Sequence, residues 1–283
     1  MTLAQTGSNA AAITVTRICF VQDAAGADVL LKFADPSAGL AVAATKPAAA
    51  ELLTGGADLA VLMIPEEAAE RNAWVARGRE WIKAPGSAPG VRVSLEDDAY
   101  ILFRPGQAMI VAPAEVLPAL LLAVADFAYY EIELRKLETE LGANWDTAQR
   151  HLSLIHTVTA KQLRATEDVA VATQEAMMRR MRYARLEPHL VLPPEHFTGL
   201  ARDAAKRLRG RQSIEARLEA ADSQIECYED IYDMANQRRG EYVNFIREYR
   251  LEWYILLVLL AELLVVGTDF YLNYIYKWPK GTN

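Results

Sequence analysis

The sequence predicts an α+β fold: an N-terminal mixed α/β domain with antiparallel strands, then a long-helix hairpin and coiled-coil region, then a C-terminal transmembrane helix. Three observations support this prediction. Short runs rich in β-branched and aromatic residues, separated by turn-like sequences, fill roughly the first 113 residues. After that point Gly becomes rare and apolar residues recur at helical spacing. Close to the carboxyl end, one apolar run is long enough to cross a bilayer.

Composition narrows the classes of function. The 283 residues carry a formal net charge of −7, which excludes a generally basic nucleic-acid binder, so no DNA partner is expected. Two Cys and four His are too few for a disulfide scaffold or a zinc finger. The sequence therefore predicts no metal and no cofactor.

Residues 1–12 are expected to be disordered, and the α+β domain covers residues 13–115. It begins with two β-rich runs, ITVTRICFV and DVLLKFA, which the turn-like QDAAGA separates. This arrangement predicts a hairpin. An Ala-rich stretch follows, with Pro47 at a candidate helix start. GGADLAVLMIP then predicts a buried strand after a Gly-Gly turn.

The rest of this domain combines one helix with three strands. PEEAAERNAWVARGREWIKA predicts an amphipathic helix, with a proline at its first position, acids in its first turn, and Trp74 and Trp81 on its apolar face. VRVSL, AYILF and QAMIVA, joined by EDD and RPG, predict an antiparallel meander.

A helical hairpin and heptad stalk are predicted over residues 116–250. One helix covers about 118–141 and a second about 145–186. The Gly-Ala-Asn sequence at 142–144 is predicted to break them apart. Three prolines at 188, 193 and 194 then interrupt helical geometry. A third, very long helix is expected to open at Glu195 or His196.

That third helix carries apolar and aromatic residues at alternating spacings of four and three, which is a heptad seam. Its principal members are Ile214, Leu218, Ile225, Tyr228, Tyr232, Tyr242 and Ile246. The seam packs either on the chain's own hairpin or between subunits of a homo-oligomer. Between Gly210 and Gly267 the one candidate helix breaker is Gly240, so the stalk is expected to continue into the apolar run.

The apolar run at residues 251–276 reads LEWYILLVLLAELLVVGTDFYLNYIY. About 20 helical residues cross a hydrocarbon core of roughly 30 Å, so its length fits a transmembrane helix. Aromatic residues mark both edges, as expected at the two headgroup layers. They are Trp253 and Tyr254 on one side, and Tyr271, Tyr274 and Trp278 on the other. Residues 277–283 form a short tail.

The N-terminus has no secretory signal pattern and no transit-peptide pattern, so the bulk of the chain is expected to be cytoplasmic. The positive-inside rule favours the same orientation, although both flanks are basic. The basic residues are Arg238, Arg239, Arg247 and Arg250 before the run, and Lys277 and Lys280 after it. The sequence thus predicts a tail-anchored protein with a single C-terminal span.

Glu262 lies inside the predicted span. An acid near the bilayer centre costs about 2.5–3.5 kcal/mol on insertion scales unless it is protonated or paired. Three interpretations stay open: a neutral and tolerated carboxyl, a hydrogen bond to a neighbouring helix in an oligomer, or a proton or ion path.

Catalytic signatures are weak. His151 and His156 lie five residues apart and so point to different faces of a helix, whereas zinc ligands need a spacing of four and a third donor. Glu96, Asp97 and Asp98 form an acidic run in a predicted turn, where such a run is usually solvated. We therefore expect no enzyme; the alternative is an enzyme with its site in the N-terminal domain, which a deep polar pocket at the turn of Asp97 and Asp98 would favour.

Two basic clusters flank the proline-rich turn. They comprise Arg179, Arg180 and Arg182 before it, and Lys206, Arg207 and Arg209 after it. If the helices fold back antiparallel, the clusters form one basic patch. This patch is either a solvated helix end or a site for anionic lipid, RNA or an acidic protein partner.

The C-terminal third resembles a known family on these residues. PEHFTGL and, after a basic helix, the stretch from IEARLEAADSQIECYEDIY to LEWYILLVLLAELLVVG are similar to the end of the "required for meiotic nuclear division" or Sad1-interacting-factor family, a widespread domain of unknown function. The family's R-L-E-W sequence and second Glu correspond to residues 250–253 and Glu262. Upstream, Glu131 is near the place of its helix acid. The family's Ser-rich helix start is Ala112 to Leu117 here.

The resemblance implies a membrane-anchored scaffold, because family members include oligomeric inner-membrane proteins linked to translation, with no established catalytic activity. The absent transit peptide favours a bacterial inner membrane over a mitochondrion. The leading expectation is therefore a membrane-anchored oligomeric scaffold without catalysis. The alternative is a membrane-tethered RNA- or ribosome-binding module that uses the basic patch.

Overall fold

The computed structural model describes residues 12–23, 28–36, 38–49, 53, 57–83, 90–96, 98–156 and 166–276. The fold is α+β. The strands are β1 (Thr14–Val21), β2 (Val29–Phe33), β3 (Gly39–Pro47), β4 (Leu59–Pro65), β5 (Val91–Ser94), β6 (Tyr100–Arg104) and β7 (Gln107–Ala112). The helices are α1 (Arg71–Ile82), α2 (Leu117–His156), α3 (Thr166–Val191), α4 (Gly199–Arg211) and α5 (Ile214–Phe270), and a π-helical segment (Tyr271–Tyr276) follows α5.

The chain forms two compact units. The first comprises Met1–Trp145 and Ala176–Cys227, and so holds the sheet, α1, α4 and parts of α2, α3 and α5. The second comprises Asp146–Glu175 and Tyr228–Asn283, and so holds the remaining parts of those three helices. The predicted tail at 277–283 and residues 1–11 of the predicted disordered N-terminus lie outside the described residues.

The described strands form one mixed sheet in the order β2-β3-β1-β4-β7-β6-β5. Every neighbouring pair is antiparallel except β4 and β7, which are parallel. The predicted meander of β5, β6 and β7 is confirmed. The predicted hairpin of β1 and β2 is wrong, because β3 lies between them and pairs with both.

Residues 50–52 and 54–56, which follow the helix start predicted at Pro47, lie outside the described residues. The start itself is wrong, because Pro47 is the last residue of strand β3, which includes part of the Ala-rich stretch. Eight consecutive residues of β1 pair with it, from Thr14 opposite Pro47 to Val21 opposite Leu40. Alanine favours helix on its own, and the long partner strand overrides that preference. The buried strand predicted from the GGADLAVLMIP sequence is confirmed as β4.

Helices cover both faces of the sheet. On one face, Trp74 and Ile82 of α1 join a core with Leu62 and Met109. On the other, the rings of Phe103 in β6 and Phe127 in α2 meet edge to face, with centroids 5.1 Å apart. The helix α1 begins at Arg71 rather than at Pro65, because the segment between them forms turns.

The predicted break at residues 142–144 is absent, since α2 is one helix from Leu117 to His156. Gly142 is exposed, and a Cβ atom built on it would meet no atom within 4 Å. A glycine at such a site costs a helix only about 1 kcal/mol relative to alanine, which the packing of the flanking turns outweighs. Residues 157–165 lie outside the described residues, so the second predicted helix can be compared only from Thr166 onward, where α3 begins. Its predicted end near residue 186 is wrong, because α3 continues through Pro188 to Val191.

The third predicted helix is two helices, because α4 ends at Arg211 and α5 begins at Ile214. Between them Ser213 has a positive φ of 50°. A break at such a residue carries no Gly or Pro signal at the position itself, and so the sequence pattern misses it. The predicted continuity beyond this point is confirmed, since α5 passes through Gly240 and the start of the apolar run without interruption.

The continuity of α2 makes a prediction at one position. Gly142→Ala should raise the free energy of unfolding by about 0.5–1 kcal/mol, because alanine loses less backbone entropy in a helix interior. Gly142→Pro should lower it by about 3 kcal/mol, because proline removes a helical hydrogen bond. Urea unfolding of the full chain in detergent, followed by helical circular dichroism, measures both. A stabilised Gly142→Pro variant would mean that the chain turns at this position.

Candidate functional site

The C-terminal half of α5 is the most unusual surface of the described chain. Over the described residues, one helix contains an 18-residue window apolar and long enough to cross a membrane; its mean hydropathy is 2.2, and none of the window is buried. Trp253 and Tyr254 at its near edge are 51% and 64% exposed, and Tyr271 at its far edge is 55% exposed. The side chain of Tyr274 and all of Trp278 lie outside the described residues.

A few polar side chains interrupt this apolar surface. Glu262 is exposed between leucines and valines. One turn before the end of the described helix, Asn273 donates a hydrogen bond from Nδ2 to Asp269 Oδ1 at 2.8 Å. Thr268 instead donates from Oγ1 to the carbonyl oxygen of Leu264 at 2.9 Å, so its hydroxyl is satisfied by its own helix.

The heptad seam of α5 changes environment along its length. Five of its members are buried: Ile214, Leu218, Ile225, Tyr228 and Tyr232. Tyr242 and Ile246 are half-buried. In the second unit, the rings of Tyr232 and His151 lie 5.9 Å apart, and Asn236 donates to Thr173 Oγ1 at 3.1 Å. The seam residues from Ile214 to Tyr232 therefore pack within the chain. For Tyr242 and Ile246, in the lower part of the seam, both predicted alternatives remain: packing within the chain and packing between subunits.

Buried acids on α2 form a site that the sequence analysis missed. Asp126, Glu131 and Glu133 are at most 6% exposed. A buried carboxylate needs a charged partner, and arginines from three other helices supply it. Arg217 of α5 donates to Glu131 at 3.2 Å and makes two bonds of 2.8 and 2.7 Å with Glu138. Arg135 also bonds Glu131.

Asp126 and Arg209 form the most deeply buried pair of this site. The Arg209 guanidinium donates to Asp126 at 3.2 Å and to the carbonyl oxygens of His189 and Ala205 at 2.8 and 3.0 Å. Burial raises the pKa of Asp126 and lowers the pKa of Arg209, while their mutual attraction opposes both shifts. Desolvation thus outweighs the attraction in both groups, as is common for buried ion pairs.

A second part of the same network lies on α3. Arg182 donates to Glu140 at 2.7 Å and to Glu133 at 3.1 Å. Burial acts to lower the pKa of Arg182, but these two carboxylates outweigh it and raise that pKa. Arg180 pairs with Asp222 of α5. These contacts hold α2, α3 and α5 together within the first unit.

The network accounts for half of the six residues that the sequence assigned to a basic patch. Arg180, Arg182 and Arg209 have carboxylate partners, and Arg179 also interacts within the chain. Lys206 is exposed on α4. Arg207 is exposed too, and donates to the carbonyl oxygen of Ser94 at 2.9 Å.

Several other titratable side chains lie partly buried or at the surface. His189 stacks on Tyr130 with ring centroids 4.6 Å apart and lies 4.0 Å from Asp35. Cys227 is a partly buried free thiol. Asp98 is exposed with φ of 58°, and Asp97 lies outside the described residues. Within the described ranges, no group of three or more His, Cys, Asp or Glu side chains could hold a metal ion.

The buried acids did leave a signal in the sequence. Asp126, Glu131 and Glu133 stand within LLLAVADFAYYEIEL, where apolar residues occupy every side of the helix. A charge in such a run must be buried, and the arginine-rich segments at 179–185 and 207–217 are its natural partners. No known family model matches the chain, and no curated protein matches it either.

The buried pair makes a stability prediction. Asp126→Ala should lower the free energy of unfolding by about 3–5 kcal/mol, because Arg209 stays buried without its carboxylate. Asp126→Leu combined with Arg209→Leu should recover most of that loss, because neither charge remains. Urea unfolding of the full chain in detergent measures both variants.

The matched control is the half-exposed pair of Arg180 and Asp222, where Asp222→Ala should cost at most about 1 kcal/mol. Equal losses for Asp126→Ala and Asp222→Ala would contradict the proposed importance of burial.

Proposed function

We propose that the protein is a membrane-anchored oligomeric scaffold without catalytic activity. In this proposal the apolar end of α5 crosses a bacterial inner membrane once, as a tail anchor, and the bulk of the chain stays in the cytoplasm. Its partners are the lipid bilayer, further copies of the chain, and a protein that the cytoplasmic part binds.

The exposed apolar end of α5 carries this proposal. The side chains of Ile255, Leu256, Leu257, Val258, Leu259 and Leu260, which cover every side of the helix, are each 49–60% exposed. A protein groove covers one side of a helix, whereas lipid covers all of them. A continuous apolar surface of this length is therefore suited to a bilayer, and the aromatic residues near its ends are suited to the headgroup layers.

The absence of catalysis is supported by what the buried charges do. Asp126 and Arg209 have shifted pKa values, which often mark an active site. Here Arg209 donates to Asp126 and to the carbonyl oxygens of His189 and Ala205, a set of contacts typical of a structural ion pair. The resemblance to the "required for meiotic nuclear division" family favours the same function.

Oligomerisation is supported by the lower part of the seam. Tyr249 and Trp253, which continue the seam, are 52% and 51% exposed, and Phe245, next to the seam residue Ile246, is 63% exposed. Large aromatic side chains on a heptad helix are typical of contacts between helices. Tyr249 and Trp253 lie on the side of α5 opposite Glu262, so a subunit that covers them is a different neighbour from one that packs against Glu262.

The membrane proposal predicts retention after alkaline carbonate. The full chain should stay with vesicles at high pH, because hydrocarbon burial does not depend on surface charge. A chain ending at Arg250 should be released, since it lacks the apolar window. Fractionation and immunoblotting measure both, with a peripheral membrane protein as the release control. Extraction of the intact full chain by carbonate would refute the anchor.

The second candidate is a membrane-tethered RNA- or ribosome-binding module. Lys206, Arg207 and Arg211 are exposed on α4, and a cleft of about 500 Å³ lies between this helix and β5, lined in part by Arg207, Arg211 and Ser94. Exposed arginines beside a cleft are suited to phosphate groups. Arg209 belongs to the buried pair and is therefore unsuitable as a test of RNA binding.

Charge reversal tests this candidate. Arg207→Glu with Arg211→Glu should abolish RNA that co-purifies with the chain at moderate salt, because phosphate contacts dominate such binding. Arg79→Glu with Lys83→Glu on α1 is the matched control, with the same charge change and the same spacing. Equal recovery of RNA with the two double variants would reject the candidate. So would the absence of RNA from both variants and from the unaltered chain.

A further inference from the structure

Three polar residues of the apolar helix, Glu262, Asp269 and Asn273, lie on one face. Glu262 and Asp269 are seven residues apart, which is close to two helical turns, and Asn273 follows one turn later. Asp269 and Asn273 are joined by a hydrogen bond. We call the surface of these three residues the polar face. The leucines at 257, 260 and 264 lie on the opposite side.

Glu262 is the deepest member of the polar face. Nine residues separate it from Trp253, so the two lie about 14 Å apart along the axis. This distance is close to half of a hydrocarbon core of roughly 30 Å, which places Glu262 near the middle of the proposed span. In the part of the chain that the structure describes, no hydrogen bond or ion pair satisfies its carboxyl group, whereas Asp269 and Asn273 lie close to the far interface.

The line of acids continues towards the soluble part of α5. Glu241 and Glu248 precede Glu262 by 21 and 14 residues, which are multiples of the heptad. Both are exposed and lie before the apolar window, where water solvates a carboxylate. Water can therefore solvate Glu241 and Glu248, whereas lipid would surround Glu262 and leave its carboxyl group without a partner.

We propose that the polar face packs against the same face of a second copy of this chain, with the two Glu262 carboxyl groups hydrogen-bonded to each other. This inference rests on the proposed function, because it requires the span to be in the membrane. Chains anchored by the same end are parallel, and a two-fold axis along the bilayer normal brings each residue beside its own copy.

The chemistry of the span favours a second copy over a different protein. Residues 251–276 contain no Lys, Arg or His. When two copies of the span associate, the Glu262 carboxyl group must therefore find a hydrogen-bond partner that is not a cation. A neutral carboxyl group, which hydrocarbon favours, both donates and accepts a hydrogen bond and so is its own complement. Polar side chains that bond across helices are a common cause of association in membranes.

Cysteine cross-linking in native membranes tests the inference. In a background of Cys19→Ser and Cys227→Ser, a single Val266→Cys lies one turn from Glu262 on the polar face. The matched control, Leu264→Cys, lies on the opposite face at nearly the same depth. Oxidation should convert Val266→Cys to a band of twice the chain mass and leave Leu264→Cys largely monomeric.

The role of Glu262 is tested in the Val266→Cys chain. Glu262→Leu should weaken the association about 3- to 30-fold, because the interhelical hydrogen bond is lost. Glu262→Gln should preserve cross-linking, since an amide also donates and accepts. Equal cross-linking at 264 and 266, no effect of Glu262→Leu, or cross-linking to a band of another mass would overturn the inference.

Carbonate washing of the same membranes separates the two proposals. If the chain is released, the membrane anchor itself fails. If the chain is retained but Val266→Cys gives no dimer, the anchor stands and the inference about the polar face alone is refuted.

Discussion

The first unit depends on one constraint: a charge removed from water must be paired. Asp126, Glu131 and Glu133 lie on a stretch of α2 whose side chains are buried, Phe127 and Leu134 among them, so their carboxylates cannot reach solvent. Each is met by an arginine from another helix, namely Arg209 of α4, Arg217 of α5 and Arg182 of α3. Apolar packing tolerates small rotations of a helix, whereas directional bonds between charged groups do not, so we expect these contacts to restrict the register in which the helices pack.

The same constraint applies to the buried acids of the first unit and to Glu262 in the apolar half of α5, with different outcomes. In the first unit the partners come from the chain itself, and burial nevertheless raises the pKa of Asp126 and lowers the pKa of Arg209. In the apolar half of α5 the charge count is very low, and Glu262 has no neighbouring element in the described chain to supply a donor. Acids in apolar surroundings are therefore paired by arginines of the same chain in the first unit, whereas Glu262 in the proposed span requires a partner from another molecule.

The sequence predicted those elements whose own periodicity decides their structure. The sequence pattern predicted β4, the meander of β5 to β7 and the unbroken α5, because alternating or helical spacing of apolar residues persists along them. The failures have two causes. Tertiary contacts override local preference at β3, where alanines pair with β1, and at Gly142, where helix α2 continues. At Ser213 a single backbone conformation ends a helix without a Gly or Pro to announce it. The arginines on α3 and α4 were found as charges, but their partners on α2 are distant in sequence, so a surface patch was predicted where the structure has buried pairs.

The heptad seam shows why periodicity alone cannot assign a partner. The spacing of four and three continues from Ile214 to Trp253 without a change of pattern, yet burial falls from almost complete at Tyr228 to about half at Trp253. The heptad pattern predicts that one face of the helix is buried. The length of the neighbouring helices decides how much of that face the same chain can bury. Below Asn236 in the second unit, the seam residues keep the composition of a contact surface while their exposure rises. A sequence that maintains aromatic residues at heptad spacing beyond its own packing has a surface suited to another helix, and on α5 this surface is distinct from the polar face of Glu262, which lies on the opposite side.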